Sequence, residues 1–97
     1  MIYHITTQSR WDELESQDVF VPEAYAVEKF IHCCDGRQIQ SVLDRYFAGV
    51  SEILVLCLDP SKLKAELRYE AATNNELFPH VYGPINKDAI IGMQKME

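Results

Sequence analysis

A chain of 97 residues with 15 acidic and 9 basic side chains carries a formal charge of −6, and it has room for a single domain, residues 1–97, around one core. At 47% hydrophobic and 25% charged, the composition excludes a disordered or fibrous chain. A pI near 4.9 argues against the basic stripe that polynucleotide binding requires, but leaves room for a small nucleotide held by a few local donors.

The expected elements are short. Ile2-Tyr3-His4-Ile5 reads as an opening strand, and no basic stretch followed by a long apolar run marks a secretory leader there. Ser9, three residues before Asp12, predicts a capped helix running through about Ser16, with Trp11 and Leu14 on one side. Val19-Phe20-Val21 before Pro22 reads as a brief strand, and residues 30–34 as another. After Asp35-Gly36, Ile39, Val42, Leu43, Tyr46 and Phe47 recur at steps of three and four, which predicts the main helix, stopped by Gly49. Gln38, Gln40, Ser41, Asp44 and Arg45 occupy its polar side.

The continuous apolar run from Ile53 to Leu58, closed by Asp59-Pro60, suits a central strand buried on both faces. It is too short to span a bilayer. Residues 67–70 alternate and read as a strand, Phe78-Pro79-His80-Val81-Tyr82-Gly83-Pro84 as a stiff, turn-rich loop, and residues 89–93 as a closing strand. Several short strands with two main helices give an α+β fold. Three cysteines without a Cys-x-x-Cys spacing signal neither structural zinc nor a redox pair; Cys57, inside the apolar run, reads as a buried small hydrophobe. A reduced, cytoplasmic protein is expected.

Chemistry would rest on few residues. His4, His32 and His80 each lie beside apolar or aromatic neighbours, and an imidazole that faces inward needs partners for its ring nitrogens. They form a site if they meet at one cleft; otherwise they are three packed histidines. No helical pair of histidines four apart is present, so no metal site is expected. Cys33 and Cys34 precede a helix start, but His32 and Cys33 point to opposite strand faces, which favours packing over nucleophilic chemistry. Glu70 at a strand end could orient a hydroxyl or act as a base, and Arg45 could meet an anion. The proline-bracketed string displays Phe78, His80 and Tyr82 rigidly, with Gly83 allowing close approach.

In this order, Ile2-Tyr3-His4-Ile5, Trp11, Phe30-Ile31-His32-Cys33-Cys34 with Gln38, Arg45-Tyr46-Phe47, residues 54–58, Glu70 and Phe78-Pro79-His80-Val81-Tyr82-Gly83-Pro84 resemble a small bacterial family, the domain of unknown function 952. The likeness covers essentially the whole chain. Cys34 stands where the family pattern usually carries Ser, and Lys29 where it carries Gly. The resemblance implies an ADP-ribosyltransferase-like fold, with small split antiparallel sheets around a cleft, and brings no established activity. In ADP-ribosyl-transferring enzymes a first-strand His or Arg holds the adenosine-side ribose of NAD. A later strand carries a residue near the nicotinamide, and a Glu orients the 2′-hydroxyl.

By that likeness His4 corresponds to the first and His32 to the second, with Glu70 or His80 near the place of the acid. The resulting expectation is a cleft for NAD or an ADP-ribose-like nucleotide. His32, Glu70 and His80 are its catalytic candidates, and His4, Arg45, Phe78, Tyr82 and Gly83 its ligand contacts. NAD would be ligand or substrate. The alternative is a non-catalytic small-metabolite or partner-binding module of the same fold. A small-molecule ligand, no nucleic acid, no membrane, and a monomer or homodimer complete the expectation.

Overall fold

The computed structural model describes residues 1–96. Its first sheet is antiparallel, in the order β1 (Ile2–Thr7), β4 (Ile53–Leu58), β8 (Ile90–Met96). β4 takes the centre, paired with β1 on one edge and, with a register shift between Cys57 and Leu58, with β8 on the other, so that its apolar side chains can be covered on both faces. One face sends Leu56 and Leu58, with Ile2 of β1, into a cluster with Phe20, Ile31, Val81 and Ile85. The other sends Ile53 and Val55, with Ile5, against Cys34 and Phe78. Cys57 is only half-buried, unlike its strand neighbours. The expected central strand is thus present at its expected bounds.

The second sheet runs β3 (Ile31–His32), β6 (Leu77–Tyr82), β5 (Glu66–Ala71), also antiparallel. β2 (Val19–Phe20) and β7 (Ile85–Asn86) form a two-stranded ribbon beside them. Three helices, α1 (Gln8–Glu13), α2 (Tyr25–Glu28) and α3 (Ile39–Tyr46), complete the α+β architecture of split antiparallel sheets. None of the described helices is long and apolar enough to cross a membrane.

Three local expectations are corrected. The cap of α1 is Thr7, whose Oγ1 accepts from the Arg10 N–H, and the helix ends at Glu13 before reaching Ser16. In α3 the stripe of Ile39, Val42, Leu43 and Phe47 packs on the second cluster, while Tyr46 stays exposed. The entry to α3 is fixed by Asp35 and Gln38, which form a reciprocal capping box. The buried Gln38 amide also donates to Glu76 at 2.8 Å and to the Leu77 carbonyl at 3.0 Å, tying the helix start to β6.

The largest correction concerns the proline-bracketed string, which is not a loop: residues 77–82 are the middle strand of the second sheet. A proline in a central strand costs a ladder bond. Here the Pro79 carbonyl accepts from the Cys33 N–H at 3.0 Å, so the missing Pro79 N–H faces the same side, toward the chain after His32. The return bond cannot form, and β3 ends at His32 instead of reaching residue 34 as expected. β5, on the other side, keeps a full register from Glu66↔Tyr82 to Ala71↔Leu77.

Gly83 follows β6 where the chain passes Ala65. A Cβ there would lie 2.8 Å from the Ala65 Cβ. Gly83→Ala is therefore expected to cost about 1–3 kcal/mol in a urea titration. Adding Ala65→Gly should restore part of the loss, because it removes the contact between these two carbons while the backbone conformation at Gly83 still disfavours a side chain.

Candidate functional site

A single backbone bridge links the two sheets. Tyr3 and Cys34 exchange two backbone hydrogen bonds of 2.8 Å, the only bridge outside the named strands among the described residues. Next to it the ladder is replaced by a side chain: His4 Nδ1–H donates to the His32 carbonyl at 2.6 Å. Beyond this seam opens a cleft of about 440 Å³, lined by Tyr3, His4, Phe30, His32, Phe47 and Phe78, with Ala24 and Glu28 from α2 and Val42 and Tyr46 from α3.

His4 is buried, and its Nε2 has no partner among the described residues. With the proton on Nδ1 committed to a carbonyl, Nε2 carries a lone pair and can accept a hydrogen bond. Burial drives the imidazole pKa down to about 4; the His32 carbonyl pulls the other way but does not prevail. The neutral ring lies 5.6 Å from Phe20, tilted against it.

Strand alternation and register place the second group. His32 stands opposite His80, and His80 opposite Arg68, in one row across the second sheet; Glu70 stands opposite Phe78 in the adjacent row. All share one face. His80 is buried and donates Nδ1–H to Glu70 Oε1 at 2.8 Å, and Tyr82 donates its hydroxyl to the same oxygen at 2.5 Å. The Tyr82 and His80 hydrogen bonds hold the Glu70 carboxyl below the usual carboxylate range, and the same carboxylate pushes the Tyr82 phenol up. His80 Nε2, like that of His4, is buried without a partner among the described residues. Arg68 lies over the Tyr82 ring at 4.4 Å and pairs with Glu66.

Phe30 joins the two groups. Its ring stacks on His80 at 4.3 Å and 25°, meets His32 edge-on at 4.8 Å, and lies 5.4 Å from Tyr82. The His32 and His80 rings are 5.2 Å apart. His32 is half-exposed and bonds Glu28 at 2.9 Å.

The expected site residues therefore divide. His4, His32 and Phe78 line the cleft. Glu70, His80 and Tyr82 form a network that adjoins it through Phe30 and His32, without lining it. Arg45 is exposed on α3, with its guanidinium 5.9 Å from the Tyr46 ring, and does not line the cleft. Gly83 and Tyr82 line a separate open groove with Lys64 and Asp88. Cys33 and Cys34 are buried, burial pushes both thiols up (Cys34 to about 11), and neither is a thiolate nucleophile. Among the described residues no group of three His, Cys, Asp or Glu side chains could hold a metal ion.

Among the cleft residues not expected as site residues, Tyr46 and Phe47 come from the apolar stripe of the main helix, and Phe30 and Glu28 adjoin His32. Phe30 shares the strand face of His32 by simple alternation, and Glu28 lies four residues before His32, a spacing that pairs them here across the end of α2.

No curated protein matches the chain. Among solved structures it is similar to protein CC0527 from Caulobacter crescentus. The crystal structure of that protein shares 26% identity and superposes with a TM-score of 0.90, covering 99% of this chain and 85% of that one. The solution NMR structure of the same protein, also at 26% identity, gives 0.84 over 99% and 84%. The family model for a protein of unknown function, DUF952, matches residues 5–93, and the chain belongs to that family.

Proposed function

We propose that the chain binds NAD or an ADP-ribose-like nucleotide, with a nucleoside end in the cleft between the sheets, and that its split sheets are of the ADP-ribosyltransferase type. The observation that carries the reading is His4: a buried, neutral imidazole in the cleft wall with an unpartnered Nε2. Such a nitrogen is satisfied by a ligand hydroxyl, and a ribose offers two. Phe30, Phe47, Phe78 and Tyr46 supply faces for a planar ring.

The charge pattern sets the orientation. Among the described residues that line the cleft, Glu28 is charged and no Lys or Arg occurs. A cationic pyridinium ring suits aromatic walls and a carboxylate; a pyrophosphate does not, and would run outward toward the side of Tyr46 where Arg45 lies.

The second reading, a binding module without chemistry, draws on Glu70. Its Oε1 already accepts two hydrogen bonds and it does not line the cleft, so the expected catalytic carboxylate is engaged elsewhere. One experiment separates the readings. NAD, ADP-ribose and nicotinamide riboside are titrated into labelled protein while the three imidazoles are followed by nuclear magnetic resonance, and nicotinamide release is assayed in the wild type and in Glu70→Gln. Shifts at His4 and His32 support binding, and release lost in Glu70→Gln supports catalysis. Shifts without release in either protein favour the module, and no shift at millimolar ligand ends the proposal.

A further inference from the structure

Phe30 lines the cleft and at the same time stacks on His80. We infer that it is a gate: when its ring turns away, His80 Nε2, held in place by Glu70, becomes the acceptor for a second sugar hydroxyl of the ligand in the cleft. This rests on the cleft reading given above and adds to it an acceptor that does not line the cleft in the closed form.

Four observations meet here. First, His80 Nε2 is a buried polar atom without a partner among the described residues. Proteins rarely leave such an atom unless something occupies or uses it. Second, the opposite ring nitrogen is fixed on the Glu70 carboxylate, which Tyr82 also holds. A carboxylate that clamps Nδ1–H sets the tautomer, so the Nε2 lone pair is aimed and available to a hydroxyl. Third, the Phe30 ring lies on the His80 face at 4.3 Å while also lining the cleft. Turning this one side chain away would uncover the imidazole on the side of the cleft.

The fourth observation is the weak hold on the segment that carries Phe30. α2 contributes no buried residue, and its Val27 is 83% exposed. Lys29, between α2 and Phe30, sits at φ +68°, a left-handed conformation that costs a residue with a Cβ. Tyr25 packs on the core at one end and Ile31 is buried in β3 at the other. Between them the segment is held by the short-range backbone bonds of α2, the exposed Glu28–His32 hydrogen bond and the ring contacts of Phe30 itself. Segments of this kind open locally at low cost.

Histidine acylation by diethylpyrocarbonate, read residue by residue by mass spectrometry on the full chain, tests the gate. In the wild type His32 should react fast, and His4 and His80 slowly. Phe30→Ala should raise the His80 rate by about tenfold, the loss of one ring-stacking interaction, with His4 unchanged. Phe30→Leu, which keeps an apolar side chain and so the packing, should give a smaller rise and serves if the alanine variant does not fold. Equal His80 rates in wild type and variants overturn the gate, and so does an equal rise at His4, which reports general loosening. NAD should then slow the acylation of His80 in the variant. If NAD protects His4 and His32 but not His80, ligand binding in the cleft stands and the acceptor role of His80 falls. If it protects none of the three, the cleft reading itself fails.

Discussion

Acidification from neutral pH to about pH 4 is expected to remove about 3 kcal/mol of folding stability through His4 alone. In the folded chain its imidazole stays neutral down to about pH 4, whereas the unfolded chain takes up the proton near 6.5. Between those values the unfolded state binds more protons. Stability is therefore fully present above the window and declines as the pH falls through it. His4→Gln keeps an N–H donor for the His32 carbonyl and removes the titration. Urea midpoints measured across the window should fall in the wild type and stay comparatively flat in this variant. The carboxyls held below their ordinary range, those of Glu70, Asp59, Glu66 and Asp88, lose their stabilising interactions at lower pH in both proteins, so the difference between the curves isolates His4. Parallel curves would mean that the ring does not stay neutral in the fold.

Phe20→Ala should cost about 3–5 kcal/mol, a large share of the ~5–15 kcal/mol that holds a domain of this size. Phe20 is fully buried at the centre of the first cluster, with Trp11 stacked 5.7 Å away and His4 at 5.6 Å. Truncation leaves a cavity that rigid strands on either side cannot close. A denaturant titration at neutral pH measures the loss, and Phe20→Leu should recover more than half of it. The two predictions are coupled. Water entering beside His4 would relieve its desolvation, so in Phe20→Ala the acid-sensitive window should narrow from its lower end. Additive behaviour of His4→Gln and Phe20→Ala would show that the contact does not transmit this effect.

Where the signal was local, sequence and structure agree. The run Ile53–Leu58 is a central strand because six consecutive apolar side chains can be covered on both faces only there. The stripe from Ile39 to Phe47 is a helix because its spacing makes one apolar face. Disagreements arose where a partner decided the outcome. Four residues of α2 give no periodicity to read, and no element was expected there. Phe78-Pro79-His80-Val81-Tyr82-Gly83-Pro84 carries the marks of a turn, yet Pro79 fits a middle strand because its missing N–H meets only the truncated end of β3.

The chemistry divides along the same line. The sequence picked out three histidines, one acid at a strand end and one aromatic string as the residues worth weighing; histidine spacing disfavoured metal, and acidic composition disfavoured polynucleotide. Which of them share a space was decided by tertiary structure. Residues 28 to 48 positions apart in sequence were joined by the His4–His32 hydrogen bond and the His32–His80 contact, and Arg45, on the polar side of α3, was left outside the cleft. Side-chain identity and short-range period are written along the chain. The partner of an imidazole nitrogen, and whether it has one, depends on strands that meet only when the chain closes.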